Sequence, residues 1–232
     1  MAQRKRTDAA DRTALTPRAV AEGALALADS AGLEAVTIRR LAQELGVTPM
    51  ALYWHFRSKG ELLDGMVDRL YEKIDPAVAS SEAWQRQLRT LLEAMVAVLR
   101  DHPAAAPLLA TRSTASESSL RTIEAMLAVL RYAGFSPAEA TQIARHALST
   151  VTDLVVRVRA GAAPEAPDDT ADERRRARAF LESLPPARYP HLVEAAAPLS
   201  ACEDPDSSYD FGLDLLMAGV EAMAARPRSH GG

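Results

Sequence analysis

The chain has 232 residues, 48% of them hydrophobic, enough for two small domains or one large one with a substantial core. Its net charge of −4 argues against a general nucleic-acid coat, but the charge is uneven: residues 1–60 hold 9 Lys/Arg against 6 Asp/Glu and the remainder is acidic, so one basic end can meet a polyanion. Cys202 is the only cysteine, which excludes an internal disulfide and a thiolate zinc site, and no segment is long and uncharged enough for a signal peptide or membrane span; a cytoplasmic protein is expected.

Residues 1–14 are polar and aperiodic, with Arg4, Lys5 and Arg6 near the start. They read as a disordered arm, either a solvated tail or a basic strand laid along phosphates. Thr16-Pro17 then places an N-cap before a proline at the first helical position, and Ala21, Ala24, Leu25 and Ala28 make a narrow stripe up to Gly32. In the next segment Ile38, Leu41, Ala42 and Leu45 fall at i, i+3, i+4 and i+7 behind an N-cap at Thr37, and Gly46 is a left-handed stop. Thr48-Pro49 starts another helix at once, predicted to reach His55. Leu52 and Phe56 face the previous helix, while Pro49, Met50, Ala51, Tyr53, Trp54 and His55 face outward. A helix this short cannot bury two aromatic rings and a histidine in a row, so they need another surface to touch. Two helices about a tight turn, the second exposed, make a helix-turn-helix suited to the DNA major groove. Ser58-Lys59-Gly60-Glu61 forms a capping box that opens a fourth helix to about Ile74, and Asp75-Pro76 ends this head.

Beyond Pro76 the periodicity predicts a helix over about 82–100, broken at Asp101-His102-Pro103, where His102 reads as a turn residue. A short piece near 104–110 follows, then a helix over 120–132 stopped by Gly134. The box Ser136-Pro137-Ala138-Glu139 starts a long helix to about Ala160, closed by Gly161. Residues 162–172 lack an apolar face and read as a mobile loop; the basic run 174–178 reads as a solvated helix end. A helix is expected near 189–196. The last, about 209–225, carries Phe211, Leu215, Leu216 and Val220 on a wide apolar face. No strand pattern or repeat is evident. Five scattered histidines, with no metalloprotease motif, phosphate loop or nucleophile elbow, argue against an enzyme.

The run 36–63, with LAQELGV, ALYWHFRSK and ELL, resembles the DNA-binding segment of the tetracycline-repressor (TetR) family. AWQRQLR (83–89), LATRS (109–113), YAGFS (132–136), LPP (184–186) and DFGLDLLMAGVEAM (210–223) are similar in kind and order to that family's C-terminal domain. The resemblance implies an all-α fold: a helix-turn-helix head, 1–75, on a larger ligand-binding and dimerisation domain, 76–232. It also implies a homodimer that reads palindromic double-stranded DNA as a repressor and binds a small-molecule effector. The rival reading is a helix-turn-helix regulator whose C-terminal domain only dimerises or docks a partner.

For DNA, Arg39 is long enough to reach a guanine and matches a base-reading arginine of the family, though a phosphate contact serves equally well on chemistry. Pro49, Met50 and Ala51 lead the recognition helix and suit thymine methyls. Tyr53, Trp54, His55 and Lys59 match mainly backbone-contacting positions, with Thr37 and Thr48 as caps that also donate to phosphate. For the effector, the candidates are Leu88, Leu91, Met95, Leu108, Met126 and Leu130, with Thr111, Arg112, His146, Ser149 and Asp153 as polar groups. Thr111-Arg112 matches a Thr-Arg pair used around the drug and in the switch of tetracycline-binding members. By the same alignment Leu91 replaces a drug-binding Asn, Leu108 a metal-ligand His, Ser149 a second pocket His and Arg157 a Glu. The expectation is therefore an apolar effector held without metal or cofactor.

Overall fold

The computed structural model describes residues 15–74, 81–112, 115–162, 167–201 and 204–226, with side chains outside 160–170. The arm at 1–14, Asp75-Pro76, Ser113, Cys202 and His230 lie outside them. The described residues hold helices and no strand, and none of these helices is long and apolar enough to cross a membrane.

The head is α1 (Pro17–Ala31), α2 (Ile38–Glu44), α3 (Pro49–Tyr53) and α4 (Lys59–Lys73), with a 3-10 turn at Leu33–Ala35. The caps expected from sequence are made. Thr16, Thr37 and Thr48 accept from Ala19 N, Arg40 N and Ala51 N at 3.1, 3.2 and 3.3 Å. Gly32 and Gly46 have φ of 84° and 65°, the left-handed values that let the chain turn without a Cβ clash. At α4, Ser58 accepts from Glu61 N at 3.1 Å, but the Glu61 carboxylate accepts from Arg57 N rather than from Ser58. α1 lies along α4, and Glu22 joins them by accepting from Arg69 Nε at 2.5 Å and Lys73 Nζ at 2.7 Å. Leu52 and Phe56 are buried, as the periodicity requires.

The body comprises α5 (Trp84–Asp101), α6 (Ala106–Thr111), α7 (Glu117–Tyr132), α8 (Pro137–Ala162), α9 (Pro167–Glu182), α10 (Pro190–Glu194), α11 (Ala196–Ser200) and α12 (Pro205–Ala224). α8 is its axis, packed on α5, α6, α7 and α12. Ser136 and Glu139 form the complete capping box, each accepting from the other's backbone N–H.

Several expectations need correction. The recognition helix ends at Tyr53 rather than His55, and α8 passes through Gly161 to Ala162. Most of the supposed loop at 162–172 is helix, since α9 starts at Pro167; 163–166 lie outside the described residues. α9 escaped periodicity because it is polar nearly all round. Its support is same-face ion pairs, Arg175 with Asp172 and Arg178 with Glu182, so the basic run sits inside a helix and not at its end. The helix expected at 189–196 is two short pieces, α10 and α11. His102 is no mere turn residue: it caps α5, and its Nδ1 lies 2.7 Å from Asp29 Oδ2 on α1.

Candidate nucleic-acid interface and effector core

α3 is held down by only two buried side chains, Leu52 within it and Phe56 just after it. Phe56 has room because α4 presents Gly65 beneath it: a Cβ there would stand 2.5 Å from the ring. Everything else on the helix is pushed outward. Met50 is 66% exposed and Trp54 84%, Pro49 and Tyr53 are exposed, and Ala51 and His55 are half-exposed. Thr37, Arg39, Thr48 and Lys59 are exposed on the flanking helix starts. Nine of the ten DNA candidates thus fall on α2, α3, their caps and the first turn of α4, and His55 stands in the turn just after α3. The capping threonines use their oxygen as acceptor, which leaves each O–H free to donate to a phosphate.

In the body, Leu88, Leu91 and Met95 of α5, Leu108 of α6 and Met126 and Leu130 of α7 are buried in one core. Thr111 is exposed and donates to Pro107 O at 2.9 Å. Arg112 reaches out of the body: its Nε donates to Asp64 Oδ1 at 2.7 Å and its Nη2 to Gly60 O at 3.0 Å, both on α4. The Asp64 hydrogen bond raises the guanidinium pKa further, so Arg112 is charged at every relevant pH. His146, Ser149 and Asp153 are not brought to the buried group. They lie on the exposed side of α8, whereas the residues buried beside them are Ile143, Ala147, Val151, Thr152, Leu154 and Val155.

Residues 20–66 match the family described as bacterial regulatory proteins, tetR family, and residues 77–224 match the tetracyclin repressor-like C-terminal domain. The chain belongs to the TetR family.

Among TetR-family proteins it is 31% identical to the class D tetracycline repressor protein of Escherichia coli, over 89% of each chain. It is 28% identical to the HTH-type transcriptional repressor DrrR1 of Streptomyces coeruleorubidus, over 97% of this chain and 84% of that one. Its fold matches the Streptomyces coelicolor TetR family protein ActR in complex with actinorhodin with a TM-score of 0.78, at 25% identity, covering 91% of this chain and 99% of that one. The helix-turn-helix is therefore the TetR-family DNA-binding element. Asp64, Gly60 and Asp29 carry no sequence signal, because their partners stand 48, 52 and 73 residues away.

Proposed function

We propose that this TetR-family protein is a homodimeric repressor whose heads (residues 1–75) bind the two halves of a palindromic operator. A small apolar effector enters the body (76–232) and releases it. The observation that carries this reading is the bond from Arg112, at the end of α6, to Asp64 and Gly60 on α4. α4 joins the head to the body and packs on α5, α6 and α7. An effector that moves Thr111 and Arg112 therefore pulls on the base of the head. Two recognition helices must stand about 34–36 Å apart to enter successive major grooves, so a tilt of α4 takes them out of register. The effector must bind the released state more tightly than the DNA-competent one. ActR, solved with actinorhodin, supports an effector in this fold. Leu91 and Leu108, which stand where tetracycline-binding members carry a drug-binding Asn and a metal-ligand His, are buried in an apolar cluster, which supports an apolar effector without magnesium.

Footprinting on DNA flanking the protein's own gene, followed by titration of compounds with and without EDTA, tests the reading. Release without magnesium is expected, as is loss of effector response in Arg112→Ala with operator binding retained. Release that strictly requires magnesium refutes the metal-free site, and a fully inducible Arg112→Ala removes that residue from the switch.

A further inference from the structure

Three buried side-chain oxygens among the described residues have no hydrogen-bond partner: Asp29 Oδ1, Asp68 Oδ1 and Thr152 Oγ1. The two carboxylates belong to half-buried residues of the head, and Asp29 already engages His102 through its other oxygen. Thr152 differs. It is 3% exposed, stands in the middle of α8, and its hydroxyl is its only polar side-chain group.

A helical threonine ordinarily donates to the carbonyl four residues back. Thr111, Thr122 and Thr141 do so, to Pro107, Ser118 and Pro137 at 2.9, 3.1 and 2.8 Å. The Thr152 hydroxyl does not take the Leu148 carbonyl. Its flank of α8 can also be assigned. Residues 152 and 154 project about 160° apart around a helix. Leu154 faces α12, since a Cβ on Gly212 would stand 2.5 Å from its Cδ2. Thr152 is therefore turned from α12, and the other helices packed on α8 are α5, α6 and α7, which carry the buried apolar set.

A valine would fill this space without an unmet hydrogen bond. A hydroxyl kept unsatisfied in an apolar core calls for a partner that arrives later. We infer that Thr152 determines effector specificity by supplying the hydrogen bond that the leucine and methionine walls cannot. The effector is then an apolar molecule with a neutral hydroxyl or carbonyl oxygen directed at α8. This rests on the effector reading above.

Naphthalene and 1-naphthol, similar in shape and differing by one hydroxyl, serve as probes in fluorescence titrations of the full-length protein. The ratio of 1-naphthol to naphthalene affinity should fall roughly tenfold in Thr152→Val, the loss of one hydrogen bond, and survive in Thr152→Ser. Thr152→Val should also melt higher than the parent without ligand, because its hydroxyl has no partner to lose. An unchanged ratio in Thr152→Val, or a melting point that fails to rise, overturns the inference and leaves the effector reading standing. Failure of the parent protein to bind either probe overturns both.

Discussion

Arg39 and Glu22 show how differently two charged side chains act within one head. Arg39 is exposed beside the recognition helix. Arg39→Ala is expected to relax base choice at one position per half-site by about 1–3 kcal/mol, whereas Tyr53→Ala and Lys59→Ala weaken cognate and scrambled DNA alike. Equal losses on both DNAs for Arg39→Ala would reassign it to phosphate. Glu22 holds the head together. Burial opposes its ionisation, yet hydrogen bonds from Lys73 and Arg69 keep its pKa below the ordinary glutamate value. A depressed carboxyl stabilises the fold above the unfolded pKa and loses that contribution as pH falls through the folded one. Because Glu22 is 44% exposed, the contribution is under about 1 kcal/mol. Glu22→Gln should melt lower at neutral pH, and its melting point should fall less steeply than the parent's on acidification below the ordinary glutamate range. Parallel curves would show that the pair contributes nothing.

At the scale of elements, the recognition helix depends on its neighbour. α3 has five residues, too few to be stable alone, and its geometry comes from Leu52 and Phe56 seated on the helices behind it. Gly65→Ala tests this. Alanine raises helix propensity by about 1 kcal/mol, but its Cβ would lie 2.5 Å from the Phe56 ring, and overpacking costs about 1–3 kcal/mol. The expected result is a lower melting point together with weaker operator binding, as the ring moves and carries α3 with it. A variant that melts higher and binds as before would show that Phe56 does not set the angle of α3.

For the whole molecule, α12 has two apolar faces. Tyr209, Leu213, Met217 and Val220 are buried in their own subunit, whereas Phe211 is 71% exposed and Leu215 66%, with Leu216 half-buried between. Val156 is exposed on α8, the helix that packs beside α12. A single subunit leaves these side chains in water, at about 25 cal/mol for each Å² that a partner would cover. A dimer built on α8 and α12 follows as the expected assembly. Leu215→Glu should sediment as a monomer and lose operator binding, since one head covers one half-site. A stable dimer of that variant would move the interface elsewhere.

The helix-turn-helix was legible because its signals are local. Caps, prolines at first helical positions, the glycine stop and the i, i+3, i+4 stripes act within a few residues, and they determine α1 to α4 almost to the residue. The exposure of Met50, Tyr53 and Trp54 follows from the shortness of α3, so which of its side chains face outward could also be read from sequence. The buried leucines and methionines of α5 to α7 were equally plain. Three features required the folded chain. α9 has no apolar face, so its polar i, i+3 and i, i+4 pairs gave periodicity nothing to detect. His146, Ser149 and Asp153 could not be assigned to core or surface until packing chose which side of α8 turns inward. The links from Arg112 to Asp64 and from His102 to Asp29 bring together residues far apart in the chain, and such a contact has no pattern until the chain has closed.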